Sequence, residues 1–358
     1  MTSGPLRRGW TTGACATAAA KAAYIALVTG EFPDPVEITL PKGRSVAFAL
    51  ATHTLHNDCA SAGIVKDAGD DPDVTHGALI QAKVRRGTAG SSATFVAGAG
   101  VGIVTKPGLP LAVGEPAINP VPRAMMREAI TDAARLLGDS DDVVIEISIP
   151  GGEEIAKRTM NGRLGILGGL SILGTTGVVI PYSCAAWIAS IHEGIDVACA
   201  LGLQHLAGST GSTSEASVAR LYGLSESALI DMGDFVGGML KYVRRKPVTR
   251  ITIAGGFAKM CKLAQGALDL HSGRSQLDHA FLSALVDGGG GSVALQRAIL
   301  HANTGLQAFE LAREAGFPLT DLVARRARAS AQEILSNSPI VLDVLIVDRA
   351  GAPIAHAW

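Results

Sequence analysis

His205 to Leu240 reads HLAGSTGSTSEASVARLYGLSESALIDMGDFVGGML, and the hydrophobic pattern changes period three times within it. His205–Ser209 is short and apolar and closes on the turn Ser209-Thr210-Gly211-Ser212, which predicts a strand. A helical pattern from Thr213 to Tyr222 follows, then a strand at Ala228–Met232 and a helix at Phe235–Arg244. The alternation continues with a strong strand at Arg250–Ala254 and a helix at Ala258–Leu268. More helix runs to Ser336, and a final strand is expected at Val341–Val347. Repeated strand–helix units predict a mainly parallel sheet covered by helices on both faces. Ligands of such sheets sit at the carboxyl ends of the strands. Here those ends are Ser209–Ser212, Asp231-Met232-Gly233-Asp234 and Gly255-Gly256-Phe257.

Upstream the pattern differs. A helix starts near Thr12, where a Thr-Thr-Gly turn caps it, and runs to Leu27 before Gly30. Strand-like runs follow at Val36–Leu40, Val46–Leu55, Ala78–Arg85 and Ala93–Ala97. A second helix, Val121–Leu137, comes after the Pro-rich turn Asn119-Pro120-Val121-Pro122, and a strand follows at Val143–Ile149. Strands clustered around few helices predict an α+β domain. The expected organisation is an α+β domain over residues 1–160, a glycine-rich connection over 161–183, and a Rossmann-like α/β domain over 184–358 that opens on a helix at Cys184–Ala200.

The chain has 358 residues, enough for about two domains. Lys and Arg number 31 against 32 Asp and Glu, so the basic excess of a nucleic-acid binder is missing and no nucleic-acid partner is expected. With 47% hydrophobic residues the chain can bury a large core, which excludes disorder. Five widely spaced cysteines without a CxxC pair suit a reducing cytoplasm. His53-x-x-His56-x-x-Cys59 has no second cluster at metal-ligand spacing, so no protein-bound metal is expected. Two segments imitate membrane elements. Arg7-Arg8 precedes an apolar stretch, but that stretch is mostly alanine and Lys21 interrupts it, which favours an ordinary N-terminal helix. Leu164–Ile191 carries no charge, yet five glycines between Gly165 and Gly177, with Pro181 beyond them, predict buried strands and tight turns. No membrane partner is expected, and a homo-oligomer is left open.

Several motifs bear on chemistry. Gly98-Ala-Gly100-Val-Gly102 follows a strand but runs into a turn rather than a helix, so it reads as a glycine-lined backbone surface beside Lys106. KDAGDDPDVTHG (Lys66–Gly77) packs four aspartates and a histidine into one turn. That turn is either a base or polar clamp, or a solvated turn whose aspartates cap amides. GEPAINPVPR (Gly114–Arg123) is stiffened by three prolines and ends at a helix start, where Arg123 and the free amides suit a carboxylate. Neither a G-x-x-x-x-G-K-[ST] phosphate loop nor a G-x-S-x-G elbow occurs. Gly208–Glu215 suits a nucleoside or a carboxylate, and Asp231 stands where an acid takes ribose hydroxyls.

Taken in order, these segments resemble one family, the cobalt-precorrin-5B C1-methyltransferases of cobalamin biosynthesis (CbiD family). The resemblance rests on LRRGWTTG (Leu6–Gly13) leading into an Ala-rich helix, on the aspartate turn, and on GAGVGIVTKPGL (Gly98–Leu109). It continues through Gly114–Arg123, NGRLGILGGLSILGTTG (Asn161–Gly177) and KLAQGALDLHS (Lys262–Ser272). The chain departs from the family at Gly255-Gly256-Phe257-Ala258-Lys259, where some members carry Gly-His-x-Gly-Lys. The resemblance implies methyl transfer from S-adenosyl-L-methionine to C-1 of cobalt-precorrin-5B, giving cobalt-precorrin-6A, in a cytoplasmic enzyme whose tetrapyrrole brings its own cobalt. A corrinoid-binding carrier without catalysis is the competing class. The expected methyl-donor site is Thr210, Gly211, Glu215 and Asp231. The tetrapyrrole carboxylates are expected at Arg7, Arg8, Lys106 and Arg123, and Asp70 or His76 is expected to orient the ring or accept a proton.

Overall fold

The computed structural model describes residues 4–358 and has a mixed α/β fold. The chain separates into two compact units, one up to Cys184 and one from Ala185.

In the second unit, Ile251–Ala254 and Leu342–Val347 are unbroken buried runs, as strands covered on both faces must be. They lie side by side in a five-stranded sheet ordered Leu229–Asp231, His205–Ser209, Arg250–Gly256, Val341–Val347, Pro353–Ala357. The first four strands are parallel, with Ser209 beside both Ala254 and Asp231. The fifth is antiparallel, so Val341–Val347 is not the last strand. The extra hairpin turns on Asp348, whose Oδ1 accepts the amides of Ala350 (2.9 Å) and Ala352 (2.8 Å). A five-residue strand opening on proline gives little hydrophobic signal, which is why it escapes the sequence reading. Helices Ser212–Tyr222, Phe257–Ala264 and Leu319–Ile334 are among those packing on the sheet. The expected helix from Ala258 to Leu268 stops at Ala264, because Gly266 takes φ 89° and turns the chain.

In the first unit, the sheet order is Thr52–Leu55, Cys59–Val65, Leu79–Arg86, Val143–Ser148, Thr94–Ala97, antiparallel except for the final parallel pair. Helix Thr12–Thr29 packs on it, and helix Pro120–Leu137 packs against that helix. Thr11 caps the first helix by accepting the Ala14 amide at 3.2 Å, and Gly30 at φ 86° ends it. This helix is long and apolar enough to cross a bilayer, but eight of its alanines are wholly buried in the core. The expected strand Val46–Leu55 is two strands: Ser45–Phe48 pairs with Val36–Thr39, and Thr52–Leu55 edges the main sheet. The break falls where the Leu50 amide turns to the Asp34 carboxylate at 3.1 Å. Cys59–Val65 went unread because CASAGIV is mostly small residues with weak strand preference.

Residues 161–183 fold within the first unit. Ile166–Leu167 pairs with Ile103–Val104, Gly169–Leu170 with Gly100–Val101, and Val178–Val179 with Gly9–Trp10. The two glycine motifs are thus halves of one arrangement. A Cβ on Gly169 would stand 2.3 Å from the Gly100 carbonyl carbon, so only glycine lets the backbones meet.

Candidate active site

From His205–Ser209 the chain moves to Leu229–Asp231 on one side, then returns to Arg250–Gly256 on the other. Where strand order reverses, the two connections leave the sheet on opposite faces and open a crevice at the strand ends. A cavity of about 790 Å³ occupies that place. Residues 210–214, 256–259 and 347–350 form its wall at three strand ends, and helix Gly305–Glu314 contributes Leu306, Phe309, Glu310 and Arg313.

Local sequence explains the opening. Helices Ser212–Tyr222 and Phe257–Ala264 both begin on glycine caps, Gly211 and Gly256, so no side chain covers their first amides. A Cβ at either glycine would meet nothing within 4 Å. Lys259 ties the two turns together, donating to the Thr210 carbonyl at 3.1 Å and pairing with Asp234 at 3.0 Å. Phe257 and Phe309 supply an apolar side with ring centroids 5.5 Å apart. Glu310 and Asp348 give negative charge, and Arg313 and Arg349 give positive charge. Such a site suits a ligand with an apolar plane and ionic groups of both signs.

Farther back along the same strands, away from the cavity, Asp343 is 1% exposed and collects four donors. They are Tyr222 Oη (2.7 Å), His356 Nε2 (2.8 Å), Thr252 Oγ1 (2.9 Å) and Arg250 Nε (3.0 Å). Burial alone would raise this carboxyl's pKa, but the donors, led by His356 and Tyr222, hold it below its ordinary value. Asp343 and His356 lie on the two strands whose ends carry Val347, Asp348 and Ile354 into the cavity wall.

Of the residues expected to hold a methyl donor, Thr210 and Gly211 line the cavity. Glu215 lies in the first turn of its helix, and Asp231 ends its strand with its carbonyl accepting from Trp187 Nε1 at 3.2 Å. Neither is among the lining residues.

In the first unit the aspartate turn clasps the N-terminal segment. Asp67 accepts two bonds from the Arg7 guanidinium, which, with the Gly69 amide, draw its pKa down to about 2. Asp70 Oδ2 accepts the Arg7 amide at 2.6 Å, and Asp71 accepts the Tyr182 amide at 2.8 Å. Lys66, 1% exposed, pairs with Asp73 at 2.6 Å. His76 Nδ1 accepts the Ala68 amide at 3.1 Å on a half-exposed ring. Arg8 is exposed, and its guanidinium has no partner among the described residues. Lys106 reaches the Arg163 carbonyl at 3.2 Å. Arg123, 15% exposed, donates to the carbonyls of Ile118 (2.7 Å) and Pro116 (3.0 Å) and pairs with Glu115 at 3.2 Å.

The sequence reading missed Glu310, Arg313, Asp348 and Arg349. The strand-end rule, applied to Val341–Val347, would have found Asp348 and Arg349. Nothing in the spacing of Glu310 and Arg313 sets them apart from any amphipathic helix.

A family model described as CbiD matches residues 1–181, and one described as the CbiD C-terminal domain matches residues 269–358. A protein of Paramagnetospirillum magneticum named cobalt-precorrin-5B C(1)-methyltransferase is 64% identical, covering 98% of each chain. Proteins of the same name from Bradyrhizobium sp. and Methylorubrum extorquens are 60% and 59% identical. The first covers 97% of this chain and 92% of its own, and the second covers 99% and 98%. The crystal structure of a cobalamin biosynthesis protein (cbiD) from Archaeoglobus fulgidus is 25% identical over 87% of this chain and 85% of its own, with a TM-score of 0.40.

Proposed function

The chain belongs to the CbiD family, and on that premise we propose that it methylates C-1 of cobalt-precorrin-5B with S-adenosyl-L-methionine, forming cobalt-precorrin-6A in anaerobic cobalamin biosynthesis. The observation that carries this reading is the 64% identity, over nearly the whole of both chains, to a relative of that name. We read the second unit as a Rossmann-like donor domain and the first as the substrate side. The cavity at the reversal of strand order, with Thr210 and Gly211 in its wall, supports the donor placement. Glu215 stands in the first turn of the helix that follows Gly211, and Asp231 ends the strand beside Ser209. Five free cysteines fit a cytoplasmic enzyme.

S-adenosylmethionine brings a methyl group already activated by its sulfonium, so the protein's work is to bind, align and exclude water. Uncapped amides at Ser212 and Phe257 receive a carboxylate or a ribose oxygen, and the Phe257–Phe309 side receives an apolar plane. On the tetrapyrrole side, the exposed Arg8 guanidinium has no partner among the described residues and can donate to a carboxylate. Arg7, Lys106 and Arg123 each tie down their own segment of the first unit and add positive potential toward the ring's carboxylates. Asp70 positions the Arg7–Arg8 segment through the Arg7 amide. His76 Nδ1 accepts the Ala68 amide, which leaves Nε2 as the N–H donor we assign to orienting the macrocycle; for the ring to accept a proton, Nδ1 has to give up that amide.

Incubation with methyl-labelled S-adenosylmethionine and both the cobalt and metal-free precursors, read by mass spectrometry, tests the reaction. Label at C-1 of the cobalt form is expected. Tetrapyrrole retained without label would make the protein a carrier.

A further inference from the structure

Helix Gly305–Glu314 turns Leu306, Phe309, Glu310 and Arg313 toward the strand-end cavity, the i, i+3, i+4, i+7 face of a single helix. Two carboxylates are in that wall. Asp348 is committed to its own turn through the amides of Ala350 and Ala352. Glu310 has no hydrogen-bond or ion-pair partner among the described residues, although Arg313 follows it one turn later. Lys259, the nearby cation after strand Arg250–Gly256, is already balanced by Asp234. Arg313 and Arg349 stand in the same wall, but neither pairs with Glu310, so its carboxylate is available to a cationic group of a ligand.

We propose that Glu310 recognises the positive charge of the methyl donor, so that the site holds the sulfonium ligand in preference to the neutral thioether left after transfer. This rests on the reading of the cavity as the donor site. When the S–CH₃ bond breaks and the methyl group passes to the ring carbon, the sulfur keeps the bonding pair and becomes neutral, so Glu310 loses its attraction for the product. A carboxylate near the sulfonium stabilises the bound donor more than the transition state, where that charge is already dispersing. Its benefit therefore lies in binding the donor in competition with the product, not in the chemical step. Glu310 is exposed, so solvent screens the interaction, and the preference it confers is about fivefold.

The test is calorimetric titration of the full chain with S-adenosylmethionine and with S-adenosylhomocysteine, at low and high salt. The proteins are the wild type, Glu310→Gln, Glu314→Gln (the same helix, outside the cavity wall) and Gly211→Val. Glu310→Gln is expected to weaken the donor about fivefold and leave the thioether unchanged, with the difference shrinking as salt is added. Glu314→Gln is expected to keep the wild-type ratio. In turnover, Glu310→Gln raises KM for the donor and spares kcat. A Glu310→Gln protein with the wild-type ratio of the two affinities overturns this role while leaving the donor site in place. If the wild type binds neither ligand, or Gly211→Val binds both as the wild type does, the donor reading itself fails.

Discussion

Asp67 and Asp343 are both more acidic than an ordinary carboxylate, but for different reasons. Asp67 is near the surface and is lowered from 3.8 to about 2 by the Arg7 guanidinium and the Gly69 amide. Because the folded pKa lies below the unfolded one, the Asp67 contribution to stability is complete above 3.8 and disappears as pH falls through about 2. Asp67→Asn should therefore lower stability at neutral pH and flatten the acid limb in that window, so that variant and wild type converge as pH falls through about 2. A variant with the wild-type acid limb would show that the pair is solvated away. Asp343 is buried, and its loss leaves Arg250, Tyr222 and His356 without their acceptor. Asp343→Ala is expected to cost about 3 kcal/mol in urea unfolding. For Asp70 and His76 the two roles separate in kinetics. Asp70→Asn, which weakens the clasp on Arg7, should lower the melting temperature. His76→Ala should lower kcat by about 10²-fold or more at nearly unchanged melting temperature. Normal turnover in folded His76→Ala would reduce the turn to scaffold.

Among the elements, two glycines make opposite predictions. Gly211 is extended at φ 165°, a conformation any residue adopts, and it borders open space, so Gly211→Val should fold normally and lose the donor. Gly169 touches the Gly100 backbone, so Gly169→Ala should destabilise the first unit by about 1–3 kcal/mol or more, visible as an earlier melt. The elements of the second unit were readable because parallel strands are unbroken apolar runs and their helices alternate with them. Val341–Val347 needed no other signal. Cys59–Val65 and Pro353–Ala357 were hidden because small residues and an opening proline carry little strand preference. The cavity was half legible. Thr210 and Gly211 follow from the strand-end rule, but Glu310 reaches the same cavity from a helix 95 residues further on, a juxtaposition that only tertiary folding creates.

At the scale of the molecule, each unit has its own hydrophobic core, one built on Ile251, Ile253, Leu342 and Val344 and the other on the alanine helix with Ile80, Val84, Ile145 and Ile147. Ligand binding stabilises the state that binds it. S-adenosylhomocysteine at saturation should therefore slow hydrogen exchange at residues 210–214, 256–259 and 347–350 and leave the strands Leu79–Arg86 and Val143–Ser148 unchanged. Protection confined to the first unit would move the donor there. The alanine helix Thr12–Thr29 carries a consequence of another kind. Ordinary cores fail by truncation, when a leucine becomes an alanine and a void opens. Eight wholly buried alanines have almost nothing to lose that way, and nearly every substitution open to them adds volume. In a saturation library this segment should accept glycine and serine more readily than valine or leucine, the reverse of the usual preference at buried sites, so mutation can damage it mainly by growth.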